Sequence, residues 1–316
     1  MKTSHHVLYF ITIFLLSLLF TNHLQAQRIK VEDTRFVVGK SEIIMNGVNT
    51  PWHIWNDFGG KYDHSFWDNE FARIREVGGN CSRIWISCDG EIGINIDSTG
   101  HVSGATEEHW EDLEDMFSLA QKNKIYIMAT MLSFDHTKDN HPGYMKWRRM
   151  IENPENVNSY ITNYLVPFVK RFKDYSYLWS IDACNEIEWV NQDKDNARAS
   201  WEKLQYLVGN MAVAVHENSE ILFTLGSAAI KWNCDLPKPF EGNYWSDISL
   251  QKQVSSPLAR LDFYSPHYYG WVVRNFGNFC TDKTPADYEI NNRPCMVGEN
   301  PALGILLEIP VKPDSL

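Results

Sequence analysis

Two glutamates of this sequence follow runs of residues that are typical of buried β-strands. Glu186 comes shortly after the run 177–183, and Glu299 comes directly after the run 294–298. A lone glutamate at the end of a strand is ordinarily a solvated rim residue. Two glutamates in matching contexts instead indicate a pair of carboxyl groups facing one cleft, where one gives a proton and the other attacks an electrophilic carbon.

Such a carboxyl pair has the groups that glycoside hydrolysis requires. One protonated carboxyl gives its proton to the leaving oxygen, and one ionised carboxylate attacks the anomeric carbon. A separation of about 5 to 5.5 Å leads to retention of configuration through a covalent intermediate, and wider spacing leads to inversion. We expect Glu186 to be the acid/base and Glu299 the nucleophile, in environments that push their pKa values apart, with that of Glu186 the higher.

Strand-like and helix-like segments alternate along the chain and would position these two glutamates. A helical pattern over residues 66–77 ends at Gly78-Gly79, and Thr106 is a suitable N-cap for the next helix. Strands mostly followed by helices predict a parallel α/β fold. The predicted strands are 43–49, 81–86, 124–132, 177–183, 221–226, 261–266 and 294–298, and the further helices are 107–122, 156–172 and 197–217.

Two parallel α/β architectures fit this alternation. A doubly wound nucleotide-binding fold would show a glycine-rich turn after its first strand, but the stretch 47–52 (GVNTPW) forms no phosphate-binding loop. We therefore predict a (β/α)8 TIM barrel in one domain over residues 27–316. Because barrels carry their chemistry at the carboxyl ends of the strands, Glu186 and Glu299, after strands four and seven, should project into the same cleft.

Five motifs resemble those of clan A glycoside hydrolases, nearest to family 5, the cellulase and β-mannanase type. Two of them are the Asn-Glu and Gly-Glu signatures of strands four and seven, and the others match strands one, two and six. In this sequence the motifs are WSIDACNE at 179–186, PCMVGE at 294–299, GVN at 47–49, GNCSRIW at 79–85 and HYY at 267–269.

The resemblance implies roles for several residues beside the two glutamates. Asn185 would hydrogen-bond the 2-hydroxyl of the sugar, Arg83 and Tyr269 would hold the nucleophile, and His267 would line the same cleft. His136 is the nearest candidate for a histidine that the family places near the end of strand three. His136 and His141 could alternatively form a metal site, but no partner spacing supports one.

Tryptophans follow several of the predicted strands and would line the cleft. Sugar rings present apolar C–H faces that stack on indoles. We expect Trp85 and Trp179, which lie inside strands, to be core residues instead. The tryptophans expected to contact substrate are Trp52, Trp189, Trp232 and Trp271.

The ends and the composition of the chain add further expectations. Residues 1–26 have the layout of a cleavable export signal, with Lys2 before an apolar run. The net charge of −11 argues against nucleic acid and anionic membranes as partners, and no motif indicates a cofactor or a metal. The six cysteines leave disulfide bonds possible but show no pairing, and small buried hydrophobes are their expected role.

Seventeen residues follow Glu299, which is few for an eighth barrel strand with its connecting helix. The apolar run 305–309 begins too close to Glu299 to be that strand. The sequence therefore predicts a barrel truncated after strand seven. As a whole it predicts a secreted, monomeric, retaining β-glycoside hydrolase acting on a plant or algal polysaccharide such as β-mannan or β-glucan. The alternative is a degenerate, non-catalytic carbohydrate-binding protein.

Overall fold

The computed structural model of the protein describes residues 28–278 and 282–301. Its amino-terminal part is a small antiparallel sheet whose Phe36 packs against Trp179 and Phe263, under the amino-terminal ends of the main strands. Trp179 is therefore a core residue, as predicted. The small sheet consists of β1 (Ile29–Glu32), β2 (Arg35–Val38) and β3 (Ser41–Glu42).

The main sheet contains six parallel strands, ordered in space as they are ordered along the chain. The two longest strands are buried along their whole length, so they form the centre of the core. This curled sheet confirms the predicted barrel-type α/β fold. Its strands are β4 (Gly47–Asn49), β5 (Cys81–Trp85), β6 (Tyr126–Ser133), β7 (Leu178–Asn185), β8 (Leu222–Ser227) and β9 (Ser265–Pro266).

The predicted sixth and seventh strands are the most weakly paired part of this sheet. Only Ser265–Pro266 of the predicted run 261–266 is a strand, and the run 294–299 contributes isolated parallel bridges to Tyr264 and His267. Pro266 and Pro294 lack the N–H that a regular ladder would use. Among the described residues, no further strand fills the space of about 610 Å³ between β4 and this last segment.

Helices cover the outer face of the sheet. The predicted helix 156–172 is interrupted by a π-turn at Ile161–Leu165, just before Pro167, which cannot donate to the helical ladder. Thr106 caps its helix as predicted, by accepting a hydrogen bond from His109 N. The helices are α1 (His64–Glu76), α2 (Glu107–Asn123), α3 (Tyr144–Glu152), α4 (Pro154–Tyr160), α5 (Val166–Phe172), α6 (Glu188–Gln192), α7 (Trp201–Asn218), α8 (Asp247–Val254) and α9 (Gly270–Phe276).

Several elements were not predicted from the sequence. A hairpin joins Ile94–Ile96 to Val102–Ala105, and α3, α6 and α9 also lie in stretches without a predicted element. The region 231–256 contains a second short hairpin and α8. All of these lie in connections between the main strands, where no long hydrophobic period marks them.

Several expectations fall wholly or partly outside the described residues, namely the export signal 1–26, the run 305–309 and Cys280. The five described cysteines are free thiols, and four of them are buried, in agreement with a role as small hydrophobes. Within the described part of the chain, no helix is long and apolar enough to cross a membrane.

Candidate active site

Glu186 sits in the first turn after β7 and is held from three sides. Its main chain takes a φ of 52°, and its N–H donates to Gly226 O at 2.7 Å. Its carboxyl accepts a hydrogen bond from Trp189 Nε1 at 2.8 Å and lies 2.9 Å from His267 Nδ1. Burial raises the pKa of Glu186 to about 7, as a group that serves as an acid requires.

Glu299 lies on the opposite side of the same cleft, beside a cation and a phenol. Arg83 Nη1 donates to its carboxylate at 3.1 Å, and the Tyr269 hydroxyl donates to the other oxygen. Its carbonyl accepts the N–H of Tyr268 at 2.8 Å. Burial of Tyr269, and then its contact with the Glu299 carboxylate, raise the pKa of its hydroxyl, so this hydroxyl stays a donor.

The two carboxyl groups meet at the ring of His267. Its Nδ1 lies 2.9 Å from Glu186 Oε1 and 3.7 Å from Glu299 Oε2. The distance between these two carboxyl oxygens is therefore at most the sum of the two values. That limit admits the roughly 5 to 5.5 Å of retaining glycosidases and only reaches the short end of the roughly 6.5 to 9.5 Å of inverting ones. Both carboxyl groups are also open to the cleft, with side-chain exposures of 16% and 21%.

His267 is fully buried beneath the two carboxyl groups. Burial and the neighbouring Arg83 lower the pKa of its imidazole to about 4, so the ring is neutral. Gly226 makes room for it, since a Cβ there would lie 2.9 Å from His267 Nε2 and 2.7 Å from Arg83 Nη2. The prediction that His267 lines the cleft is thus refined, because the ring supports the carboxyl groups from below.

Arg83 is oriented by a buried aspartate that sequence reasoning missed. Asp182 accepts from Arg83 Nε at 3.0 Å and Nη2 at 2.7 Å, and also from Thr130 Oγ1 at 2.9 Å. Arg83 Nη2 also donates to Asn185 Oδ1 at 3.1 Å, which fixes the amide of Asn185 beside the acid/base. A charged residue within the apolar run 178–184 was the available signal, because such a residue needs a buried partner.

Aromatic rings line the cleft on both sides of the carboxyl pair. Trp52 packs against Trp55 and Trp85, with ring centroids 4.8 and 5.0 Å apart. Across the cleft, Trp189 and Trp271 are 6.1 Å apart. The cavity between these rings is open to solvent and measures about 360 Å³, and it continues past Trp189 into an open groove of about 510 Å³. Trp85 is mostly buried, as predicted, but its edge also lines this cavity.

Two residues predicted to contact substrate lie behind the cavity instead. Trp232 is 1% exposed, packs edge-on against Trp189 at 5.6 Å and donates to Glu241. His136 is 2% exposed and lies 2.9 Å from Ser87 Oγ. The tight turn after β6 points His136 into the core and presents Asp135 to the cavity, which the spacing of residues could not reveal.

His136 Nδ1 contacts the main chain of Ser133, so both ring nitrogens have partners within the protein. His141 bonds the carbonyl of His136. Within residues 28–278 and 282–301, no three potential ligand side chains gather into a metal-binding group.

Two carboxyl groups thus face one cleft, one after the fourth strand of the parallel sheet and one after the segment 294–298, as the resemblance to clan A glycoside hydrolases implied. The chain is 24% identical to a mannan endo-1,4-β-mannosidase of Mytilus edulis over 315 aligned positions, which cover 90% of this chain and 83% of that protein. It is 22% identical to a second such protein, from Cryptopygus antarcticus, over 86% of this chain and 76% of that protein. No family model matches the chain.

Solved structures show the same fold. The β-mannanase of the blue mussel Mytilus edulis superposes with a TM-score of 0.74 at 22% identity, covering 86% of this chain and 82% of that one. The β-1,4-mannanase of the sea hare Aplysia kurodai gives a TM-score of 0.75 at 22% identity, covering 86% and 84%. These comparisons confirm the resemblance that the motifs indicated.

Proposed function

We propose that this protein is a retaining endo-β-mannan hydrolase. The observation that carries the proposal is the meeting of Glu186 and Glu299 at one histidine ring, in two different environments. Mannan is the preferred polymer because both similar curated proteins bear the name mannan endo-1,4-β-mannosidase. The expected export signal 1–26 supports secretion, and the proposal takes the enzyme to act as a monomer.

In the first chemical step, Glu299 attacks the anomeric carbon while Glu186 gives its proton to the departing oxygen. The glycosidic bond breaks, and an ester forms between the sugar and Glu299. In the second step, Glu186 takes a proton from water, which attacks the same carbon and releases the carboxylate. Arg83 and Tyr269 hold Glu299 for attack, and Asn185, whose oxygen accepts from Arg83, would hydrogen-bond the sugar 2-hydroxyl.

The shape of the cleft supports attack within a polymer chain. Aromatic rings stand on both sides of the carboxyl pair, and the groove beyond Trp189 extends the cleft on the side of Glu186. Sugars on either side of the cleaved bond would therefore find apolar surface. An exo-acting enzyme would need one end of the cleft closed.

Hydrolysis of a panel of β-mannans and β-glucans tests the proposal, with reducing ends as the measurement and Glu299→Gln as the control. We expect cleavage of mannan into oligosaccharides, and proton NMR should show the β-anomer as the first product. Appearance of the α-anomer first would exclude retention. Binding of the polymer by titration, without any product after long incubation, would favour a non-catalytic carbohydrate-binding protein.

A further inference from the structure

A second buried glutamate lies two residues after the acid/base. Glu188 begins α6 and is fully buried, away from the cleft. Its Oε1 accepts hydrogen bonds from Ser227 Oγ at 2.5 Å and Trp245 Nε1 at 2.7 Å, and its Oε2 accepts one from Ala228 N at 3.0 Å. Burying a carboxyl group costs hydration free energy, which well-placed hydrogen-bond partners must offset.

The partners of Glu188 connect it to both groups that touch the carboxyl of Glu186. On its own segment, Glu188 directly precedes Trp189, whose indole donates to Glu186 Oε2. On β8, Ser227 bonds Glu188 through its hydroxyl and accepts the N–H of His267 through its carbonyl at 2.8 Å. His267 in turn touches Glu186 Oε1.

We infer that Glu188 is a positioning residue for the acid/base, fastening the turn that carries Glu186 and Trp189 to the end of β8 that carries His267. The inference rests on the proposed function of Glu186. It follows from connectivity, because a left-handed residue such as Glu186 keeps its strained main chain only where surrounding contacts determine it. Glu188 supplies such contacts from the far side of the turn.

The donor pattern makes the carboxyl group specific at position 188. Three donors converge on two oxygens, so a glutamine would turn its own NH₂ towards at least one donor. Burial raises the pKa of Glu188 to about 7. In the protonated form the Ser227 hydroxyl can accept from Glu188, since Ala229 O lies 3.1 Å from it as an alternative acceptor.

The first test compares substrates with poor and good leaving groups in Glu188→Gln. Proton donation matters for a mannan oligosaccharide and little for a dinitrophenyl β-manno-oligosaccharide, whose phenolate leaves unaided. We expect kcat/KM to fall about tenfold or more for the oligosaccharide, a part of the 10²–10⁴-fold that general acids supply, and less than about threefold for the aryl substrate. An equal loss on both substrates would overturn the inference.

Asp262→Asn is the matched control. Asp262 is a carboxylate that accepts the N–H of Phe223 at 2.8 Å and contacts His216, at the opposite end of the same strand β8. Asp262→Asn should lower stability without changing the ratio of kcat/KM for the oligosaccharide to kcat/KM for the aryl substrate. Trp245→Phe removes one donor and keeps the carboxyl group, so it should change the ratio in the same direction by a smaller factor even if Glu188→Gln folds poorly.

The second test needs no turnover. With ¹⁵N-labelled tryptophan, the indole signal of Trp189 should move as Glu186 titrates. The other charged or titratable groups near Glu186 are Asp135, Lys138, Arg83, Glu299, His267, Tyr269 and Glu188. Because burial raises the pKa of Glu188 to about 7 as well, the movement due to Glu186 is the part that Glu186→Gln abolishes, and in Glu188→Gln we expect the amplitude of that part to fall by at least half. An unchanged amplitude would overturn the inference even in a protein that hydrolyses nothing, whereas inactivity of the wild type on every glycan would count against the proposed function alone.

Discussion

The two carboxyl groups that we propose as catalytic stand on parts of the barrel that are built differently. Glu186 follows β7, an eight-residue strand paired with β6 and β8 along its length. Glu299 ends a segment that contributes only isolated bridges. Strand pairing therefore fixes the main chain that leads to Glu186, whereas the main chain of Glu299 has few such contacts and its carboxylate depends more on Arg83 and Tyr269.

The difference in construction goes with a difference in electrostatics. Glu186 is surrounded by a neutral imidazole and an indole, and burial raises its pKa to about 7. Glu299 instead contacts a guanidinium, at 3.1 Å from Arg83 Nη1. The same residue type therefore has different surroundings on the two sides of the cleft, as the proposed roles of proton donor and nucleophile require.

Substitution of each glutamate by glutamine tests the difference between the two carboxyl groups and should have the largest effect on activity. Glu299→Gln should lose on the order of 10⁴-fold or more of kcat on every substrate, as when a covalent nucleophile is removed. Glu186→Gln should lose about 10²–10⁴-fold on mannan but keep most of the glycosylation rate on a dinitrophenyl glycoside. Burst kinetics with both substrates measure this. Identical losses in the two variants would mean that the roles are not divided as described.

Removing the charge of Asp182 should have the next largest effect, on stability. Asp182→Asn removes the fully buried charged partner of Arg83 and leaves the partly exposed Glu299 as the other charged contact that the structure describes. Breaking a buried pair in this way costs about 3–5 kcal/mol in the free energy of unfolding. Urea unfolding measures it. The exposed pair of Lys122 and Asp68 is the control, and Lys122→Met should cost less than about 1 kcal/mol.

Sequence reasoning found the glutamates because their signal is local. Each follows a strand pattern, and strands four and seven of a barrel open onto one cleft, so Glu186 and Glu299 could be paired without coordinates. Trp52 was placed in the cleft in the same way, because it follows the first strand, whereas Tyr269 came from the resemblance of HYY at 267–269 to a family motif.

What the sequence did not reveal depends on partners brought together by folding. Asp182 orients Arg83, which is 99 residues away in the sequence. Gly226 leaves space for the ring of His267. Trp232 and His136 were misplaced because the orientation of a short turn decides whether a side chain faces the cleft or the core.

The pH dependence of kcat/KM tests the electrostatic side of the comparison, and a moderate effect is expected. Glu186 must be protonated to act as acid, and its pKa is raised to about 7. We therefore expect kcat/KM on mannan oligosaccharides to be sustained below that pH and to decline as pH rises through about 7. A profile that stays flat to pH 9 on these substrates, at constant ionic strength, would contradict the assignment of Glu186.

The smallest expected effect concerns the indole beside the acid/base. The hydrogen bond from Trp189 Nε1 favours the ionised form of Glu186, so Trp189→Phe should raise the pKa of Glu186 further. Because water from the open cleft replaces part of the lost bond, the alkaline limb of kcat/KM should move upward by less than about one unit. Trp271→Phe is the control, since this ring lines the same cavity and should leave the limb in place while weakening substrate binding. A downward shift in Trp189→Phe would show that the indole acts on Glu186 by excluding water and not by donating to the carboxylate.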